Sequence, residues 1–154
     1  MGEEMREVFA IIFSILLLGC GDAENKPGEF DSPDNEQIYN VIKKLTDTIT
    51  TYDKKGILSV FTENATILSS IQNGNQKVVT KAEYSEILSS WKLQHWKETG
   101  LKSQLIGVKA ISIEGRKAKA TVTIKFSGNR FSGLVTQKYL LVKENGQWLI
   151  EQLS

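Results

Sequence analysis

Residues 106–153 read IGVKAISIEGRKAKATVTIKFSGNRFSGLVTQKYLLVKENGQWLIEQL, and this stretch decides the fold. Within it Ala118, Ala120, Val122, Ile124 and Phe126 alternate with Lys117, Lys119, Thr121, Thr123 and Lys125. Alternation with period two makes a strand with one buried and one wet face. Just upstream, Ile106, Val108 and Ala110 hold even positions while Ile111 and Ile113 hold odd ones. A change of parity inside one strand predicts a bulge near Ala110 that bends the sheet. Glu114-Gly115 and Asn145-Gly146 read as turns, the second a two-residue hairpin turn into 148–153. The chain is therefore predicted to end in four long antiparallel strands.

Further upstream the pattern changes. Thr80-Lys81-Ala82-Glu83 is a capping box, in which Thr80 and Glu83 each satisfy an amide at a helix start. Tyr84, Ile87, Leu88, Trp91 and His95 follow on one face of a helix predicted to reach about Lys97 and to end before Gly100. Before the box, Gln72-Asn73-Gly74-Asn75 lies between β-prone runs at 65–71 and 76–80 and predicts a short hairpin. Ile38, Ile42, Leu45, Ile49 and Tyr52 recur at steps of four and three, the buried stripe of a helix over 37–53 capped by Asp34 or Asn35. Ile57, Leu58 and Phe61 then suggest a short second helix with Asp53 as its cap.

The segment 21–36, GDAENKPGEFDSPDNE, contains both prolines and few apolar side chains, and reads as a solvated tether. Val8 begins an uncharged apolar run, VFAIIFSILLLG, far shorter than the roughly 20 residues a spanning helix needs. It ends in Leu17-Leu18-Gly19-Cys20, with the sole cysteine after a small residue. These residues resemble the lipobox of bacterial lipoproteins. The resemblance implies cleavage before Cys20, acylation of Cys20 with lipid such as palmitate, and a membrane anchor in the bacterial cell envelope. Gly21 where an aspartate marks inner-membrane retention favours the outer membrane if the cell is Gram-negative. The expected organisation is a signal peptide at 1–19, lipidated cysteine and tether at 20–36, and one folded domain at 37–154. A buried, inert thiol is the other reading of Cys20. The leader MGEEMRE is acidic where such signals are basic, and a start at Met5 leaves MRE, closer to the pattern.

Nineteen basic against eighteen acidic residues give +1, and the mature chain would carry +3. So mild a balance gives no electrostatic footprint for nucleic acid, and no nucleic-acid partner is expected. Twelve glycines, two prolines and one cysteine exclude collagen-like and disulfide-stapled classes, and 40% apolar residues suffice for a core. His95 is the sole histidine, which excludes a two-histidine metal site. No phosphate-binding glycine loop is present, so neither metal nor cofactor is expected.

The order of helix, short helix, short hairpin, capped helix and long meander resembles the nuclear-transport-factor-2-like superfamily, also called SnoaL-like or ketosteroid-isomerase-like. Tyr52-Asp53 through Phe61-Thr62-Glu63-Asn64-Ala65 and Gly146-Gln147-Trp148-Leu149-Ile150 carry that resemblance. It implies an α+β cone, with N-terminal helices packed on a curved antiparallel sheet around an apolar pocket. Phe61, Tyr84, Trp91, His95, Tyr139, Trp148 and Glu151 are the candidate pocket residues, although each aromatic also suits an ordinary core. Glu151 is the one carboxylate well inside a predicted long strand; its parity groups it with Leu149 and Leu153, against Trp148 and Ile150. Asp47 reads as solvated and Asp53 as a cap. The superfamily holds isomerases and dehydratases as well as members without catalysis, so function rests on residues. Without a clear acid–base set, the leading expectation is a non-catalytic domain that binds a small apolar ligand or a protein partner. The alternative is a small isomerase- or dehydratase-like enzyme using Glu151, Asp53 or His95, which fails if none of them faces the cone. A third expectation is a homodimer through the outer face of the sheet.

Overall fold

The computed structural model describes residues 30–154. The expected signal peptide, Cys20 and the tether up to residue 29 lie outside the described residues. The first helix, α1 (Pro33–Thr50), begins four residues before the expected domain start at Gln37. Its cap is Ser32, whose hydroxyl accepts from the Asn35 amide at 3.2 Å, and Pro33 occupies the first turn, where its missing N–H has no cost. The second proline is thus a helix starter, and Asp34, read from sequence as a cap, lies inside the helix. Ile38, Ile42, Leu45 and Ile49 bury the predicted stripe. The chain turns at Tyr52, with φ +56°, whose hydroxyl donates to the Leu101 carbonyl at 2.9 Å. Asp53 then caps α2 (Lys54–Ser59) by accepting from the Gly56 amide at 3.0 Å, as expected.

Six strands form one sheet: β1 (Phe61–Ser70), β2 (Gln76–Thr80), β3 (Lys102–Glu114), β4 (Lys117–Ser127), β5 (Ser132–Glu144) and β6 (Gln147–Leu153). Their spatial order is β2-β1-β6-β5-β4-β3. The sheet is mixed, not purely antiparallel, because β6 pairs parallel with β1. A parallel pair needs a long connection, and here the hairpin, the third helix and the whole meander supply it. The bulge predicted near Ala110 is present: Ala110 has φ +50° and the β3–β4 register shifts between Lys109 and Ser112. A second shift between Leu105 and Gly107 leaves Ile106 40% exposed.

Between β2 and β3 the helix is continuous but irregular, as α3 (Lys81–Ile87), a π-turn (Leu88–Lys92) and α4 (Leu93–Thr99). The capping box forms as read, Thr80 Oγ1 accepting from the Glu83 amide and Glu83 accepting from the Thr80 amide at 2.8 Å. Gly100, with φ +65°, ends it in the left-handed conformation that glycine tolerates. The helices cover one face of the sheet. Val108, Ala118, Ala120, Val122, Ile124, Tyr139, Leu141, Trp148 and Ile150 form the helix-facing side and are all buried. No helix among the described residues is long and apolar enough to cross a membrane.

Candidate functional site

The π-turn changes which residues the third helix buries. In an α-helix the expected face is Tyr84, Leu88, Trp91 and His95, because steps of three and four follow a period of 3.6 residues. The Leu93 amide instead bonds to the Leu88 carbonyl, five residues back, so one extra residue is accommodated and the face moves on by one. Tyr84 and Leu88 stay buried, but Lys92 takes the next inward position and is only 4% exposed. His95 is exposed, and its ring lies 6.1 Å from that of Trp91 in a tilted pair at the surface. His95 therefore does not enter the cone.

Lys92 sits in an unusual setting. Its ammonium donates to Ser70 Oγ at 2.8 Å and lies 5.1 Å from the Trp91 ring and 5.6 Å from the Trp96 ring. Among the described residues it has no carboxylate partner, and burial pushes the amine down to about 8 from its ordinary 10.5. Farther along the same buried face, the Tyr84 ring packs edge-on to Phe61 with centroids 6.2 Å apart. Tyr139, 1% exposed, donates to Gln137 Oε1 at 3.0 Å. Burial holds both tyrosine hydroxyls above their ordinary value, so both stay protonated, and the proximity of Tyr84 adds to the shift on Tyr139. Register ties these groups together: Leu153 pairs with both Ile67 and Tyr139. The next inward rung therefore brings Ser69, 4% exposed, and Gln137 to the end of the sheet where Ser70 meets Lys92.

The other sequence candidates lie elsewhere. Trp148, 1% exposed, donates from Nε1 to Asp34 at 2.9 Å, and Lys143 closes on the same oxygen at 2.9 Å, fastening the start of α1 to the β5–β6 hairpin. Glu151 falls at a register shift between β5 and β6, where Leu140 pairs with Gln152 but Leu141 with Ile150. The extra residue breaks the expected parity, so Leu153 joins Trp148 and Ile150 on the helix side, while Glu151 does not. Glu151 instead borders a groove of about 260 Å³ lined also by Ser112, Glu114, Lys119 and Leu140 and by Ala118 and Leu141. Asp53 is spent on the α2 cap. None of Glu151, Asp53 and His95 is among the buried side chains of the helix-facing side. Among the described residues no group of three or more metal-binding side chains gathers.

Sequence reading missed Lys92, Trp96, Ser70 and Gln137. Tyr84, Leu88, Lys92 and Trp96 repeat at a strict interval of four, wider than the α period, and that regularity was the available signal of a locally unwound helix. Gln137 shares its parity with Tyr139 and Leu141, which marks it as an inward polar residue.

The fold recurs widely among solved structures. An NTF-2-like protein of unknown function from Shewanella oneidensis superposes with a TM-score of 0.62 at 15% identity, covering 78% of this chain and 96% of that one. A protein of unknown function with a cystatin-like fold from Nostoc punctiforme gives 0.62 at 11% identity, over 79% and 90% of the two chains. A structure titled "putative ketosteroid isomerase" from Shewanella frigidimarina gives 0.56 at 17% identity, over 74% and 89%. At these identities the likeness establishes the fold alone. Comparison with curated proteins finds no match. The sequence model of the family described as "Putative lumazine-binding" matches residues 33–152, and the chain belongs to that family, in a nuclear-transport-factor-2-like α+β fold.

Proposed function

We propose that this protein is a lipid-anchored component of a bacterial envelope whose cone-shaped domain binds a small, largely apolar ligand without acid–base catalysis. The observation that carries the reading is the chemistry of the helix-facing side. Its polar groups include Tyr84, Tyr139, Ser69, Ser103, Gln137 and the amine of Lys92, and none of Glu151, Asp53 and His95 is among them. Aromatic and aliphatic walls with a few convergent polar groups suit a small ligand. The family description, which names lumazine, agrees with a flat heteroaromatic body for that ligand. The lipobox-like Leu17-Leu18-Gly19-Cys20 supports the anchor, and more than one acyl chain holds a protein stably at a membrane.

Two experiments test this. Mass spectrometry of small molecules carried by the protein purified natively from its own envelope should find a stoichiometric apolar ligand; an empty protein overturns the binding reading. Cys20→Ala should move the protein from the membrane to the soluble fraction and abolish incorporation of labelled palmitate. A variant that stays membrane-bound and labelled overturns the anchor.

A further inference from the structure

Among the described residues Lys92 is the one charged side chain that is buried. A methionine, one atom shorter, would fill most of the same space without the desolvation that a buried ammonium suffers. The ammonium has three N–H donors, of which Ser70 Oγ takes one. Ser70 itself is exposed, so the amine lies one hydrogen bond beneath the surface. Trp91 and Trp96, both half-buried, flank it. The π-turn is what delivers Lys92 to this position, and such turns, rare in helices, concentrate at functional sites.

We propose that Lys92 anchors the carboxylate of a small aromatic acid, with the ring of that acid packed against Trp91 and Trp96. A carboxylate supplies the counter-ion that is missing among the described residues. It accepts the spare N–H donors in charge-assisted bonds, which are the strong ones, and its flat body matches the two indoles at the rim. This inference rests on the ligand-binding reading above and specifies the ligand as an anion.

The test is a titration of the full-length protein with sodium benzoate and with benzamide, its uncharged isostere, followed by tryptophan fluorescence. Benzoate should give saturable binding, and benzamide should bind at least about tenfold more weakly, the loss expected when a charge-assisted bond becomes neutral. Lys92→Met should weaken benzoate by about tenfold or more while keeping the circular dichroism of the parent. In a second measurement that needs no variant, benzoate should protect Lys92 from acetylation by acetic anhydride, read by peptide mass. Absence of saturable benzoate binding, equal affinity for benzamide, unchanged affinity in a folded Lys92→Met, or unprotected acetylation each overturns the proposal. A neutral natural ligand that Lys92→Met retains overturns it too, while leaving the ligand-binding reading intact. A protein that carries nothing from its envelope removes that broader reading, and the benzoate titration still decides the role of Lys92.

Discussion

Two lysines lie beside tryptophan rings in this domain, and their surroundings differ in one respect. Lys143 Nζ is 5.9 Å from the Trp148 ring and closes on Asp34 at 2.9 Å, so its charge is matched. Lys92 Nζ is nearer its rings, at 5.1 and 5.6 Å, yet its one hydrogen bond goes to a neutral hydroxyl. The matched cation belongs to a fastening: Trp148 and Lys143 together hold the Asp34 carboxyl below its ordinary value, and the start of α1 is tied to the last hairpin. The unmatched cation fastens nothing of comparable weight and lies buried with a single hydrogen bond, to Ser70. Opposite responses to substitution should follow at the two corners.

The largest effect is expected at the fastening. Trp148→Ala removes a side chain that is 1% exposed and should cost about 3–5 kcal/mol, read as a shift of the urea midpoint at constant slope. Trp148→Phe keeps most of the buried ring and should lose less than half as much. If the alanine variant loses under about 1 kcal/mol, the corner is not a fastening and the comparison collapses.

At the other corner the sign reverses. The fall of the Lys92 amine from 10.5 to about 8 corresponds to a burial cost of about 3 kcal/mol. Loss of the contacts with Trp91 and Trp96 returns about 1 kcal/mol of that. Lys92→Met should therefore stabilise the domain by about 2 kcal/mol. Because the folded value is the depressed one, the unfolded chain binds more protons between about pH 8 and 10.5, so wild-type stability rises across that window. The rise should be absent in Lys92→Met. Denaturant melts at pH 7 and pH 10 check both statements, and a destabilised Lys92→Met would mean that the amine is structural.

A smaller effect separates the helix from its cargo. Thr80→Ala removes the hydroxyl half of the capping box that starts the helix bearing Lys92 and should cost about 1 kcal/mol in urea. The stability rise between pH 8 and 10 should persist, since the cap is three turns away from the amine. A variant that loses both shows that the π-turn depends on the cap.

Much of this architecture was legible because it follows from spacing. The alternation from Ala118 to Phe126, the parity change at Ala110, the Thr80–Glu83 box and the Asp53 cap each became the expected element. Two of the failures, at Glu151 and His95, share one cause, a single inserted residue. At Glu151 a bulge reverses the parity of everything after it, and in the π-turn one extra residue exchanges Trp91 and His95 for Lys92 and Trp96. Insertions of this kind leave composition and propensity almost untouched, so periodicity extrapolated across them assigns side chains to the wrong face. The start of α1 was misplaced for a different reason: Asp-Ser-Pro-Asp reads as tether by composition, but Ser32 and Pro33 are what a helix start requires. The mixed sheet was hidden because the β1–β6 pair joins segments more than eighty residues apart, beyond any local pattern.

The finest test lies on the acid side of the Asp34 corner. A carboxyl whose folded value is lowered contributes stability above its ordinary 3.8, and that contribution is lost as pH falls through the lower folded value. Wild-type stability should therefore decline as pH falls through this acid window, the same sign of pH dependence as the alkaline rise from Lys92, because in both windows the unfolded chain binds more protons. The bond from Trp148 Nε1 contributes more to the lowering than the bond from Lys143. Trp148→Phe and Lys143→Met should each flatten the acid decline, the first by removing the leading bond and the second by removing a bond together with a charge. Asp34 and Lys143 are each about a third exposed, 35% and 32%, so salt screens the Lys143 share. Adding salt to the wild type should then reproduce the Lys143→Met profile but not the Trp148→Phe profile, because the indole bond carries no net charge. An acid decline left unchanged in Trp148→Phe would mean that charge alone holds the corner, and the contrast with Lys92 would reduce to the presence or absence of one carboxylate.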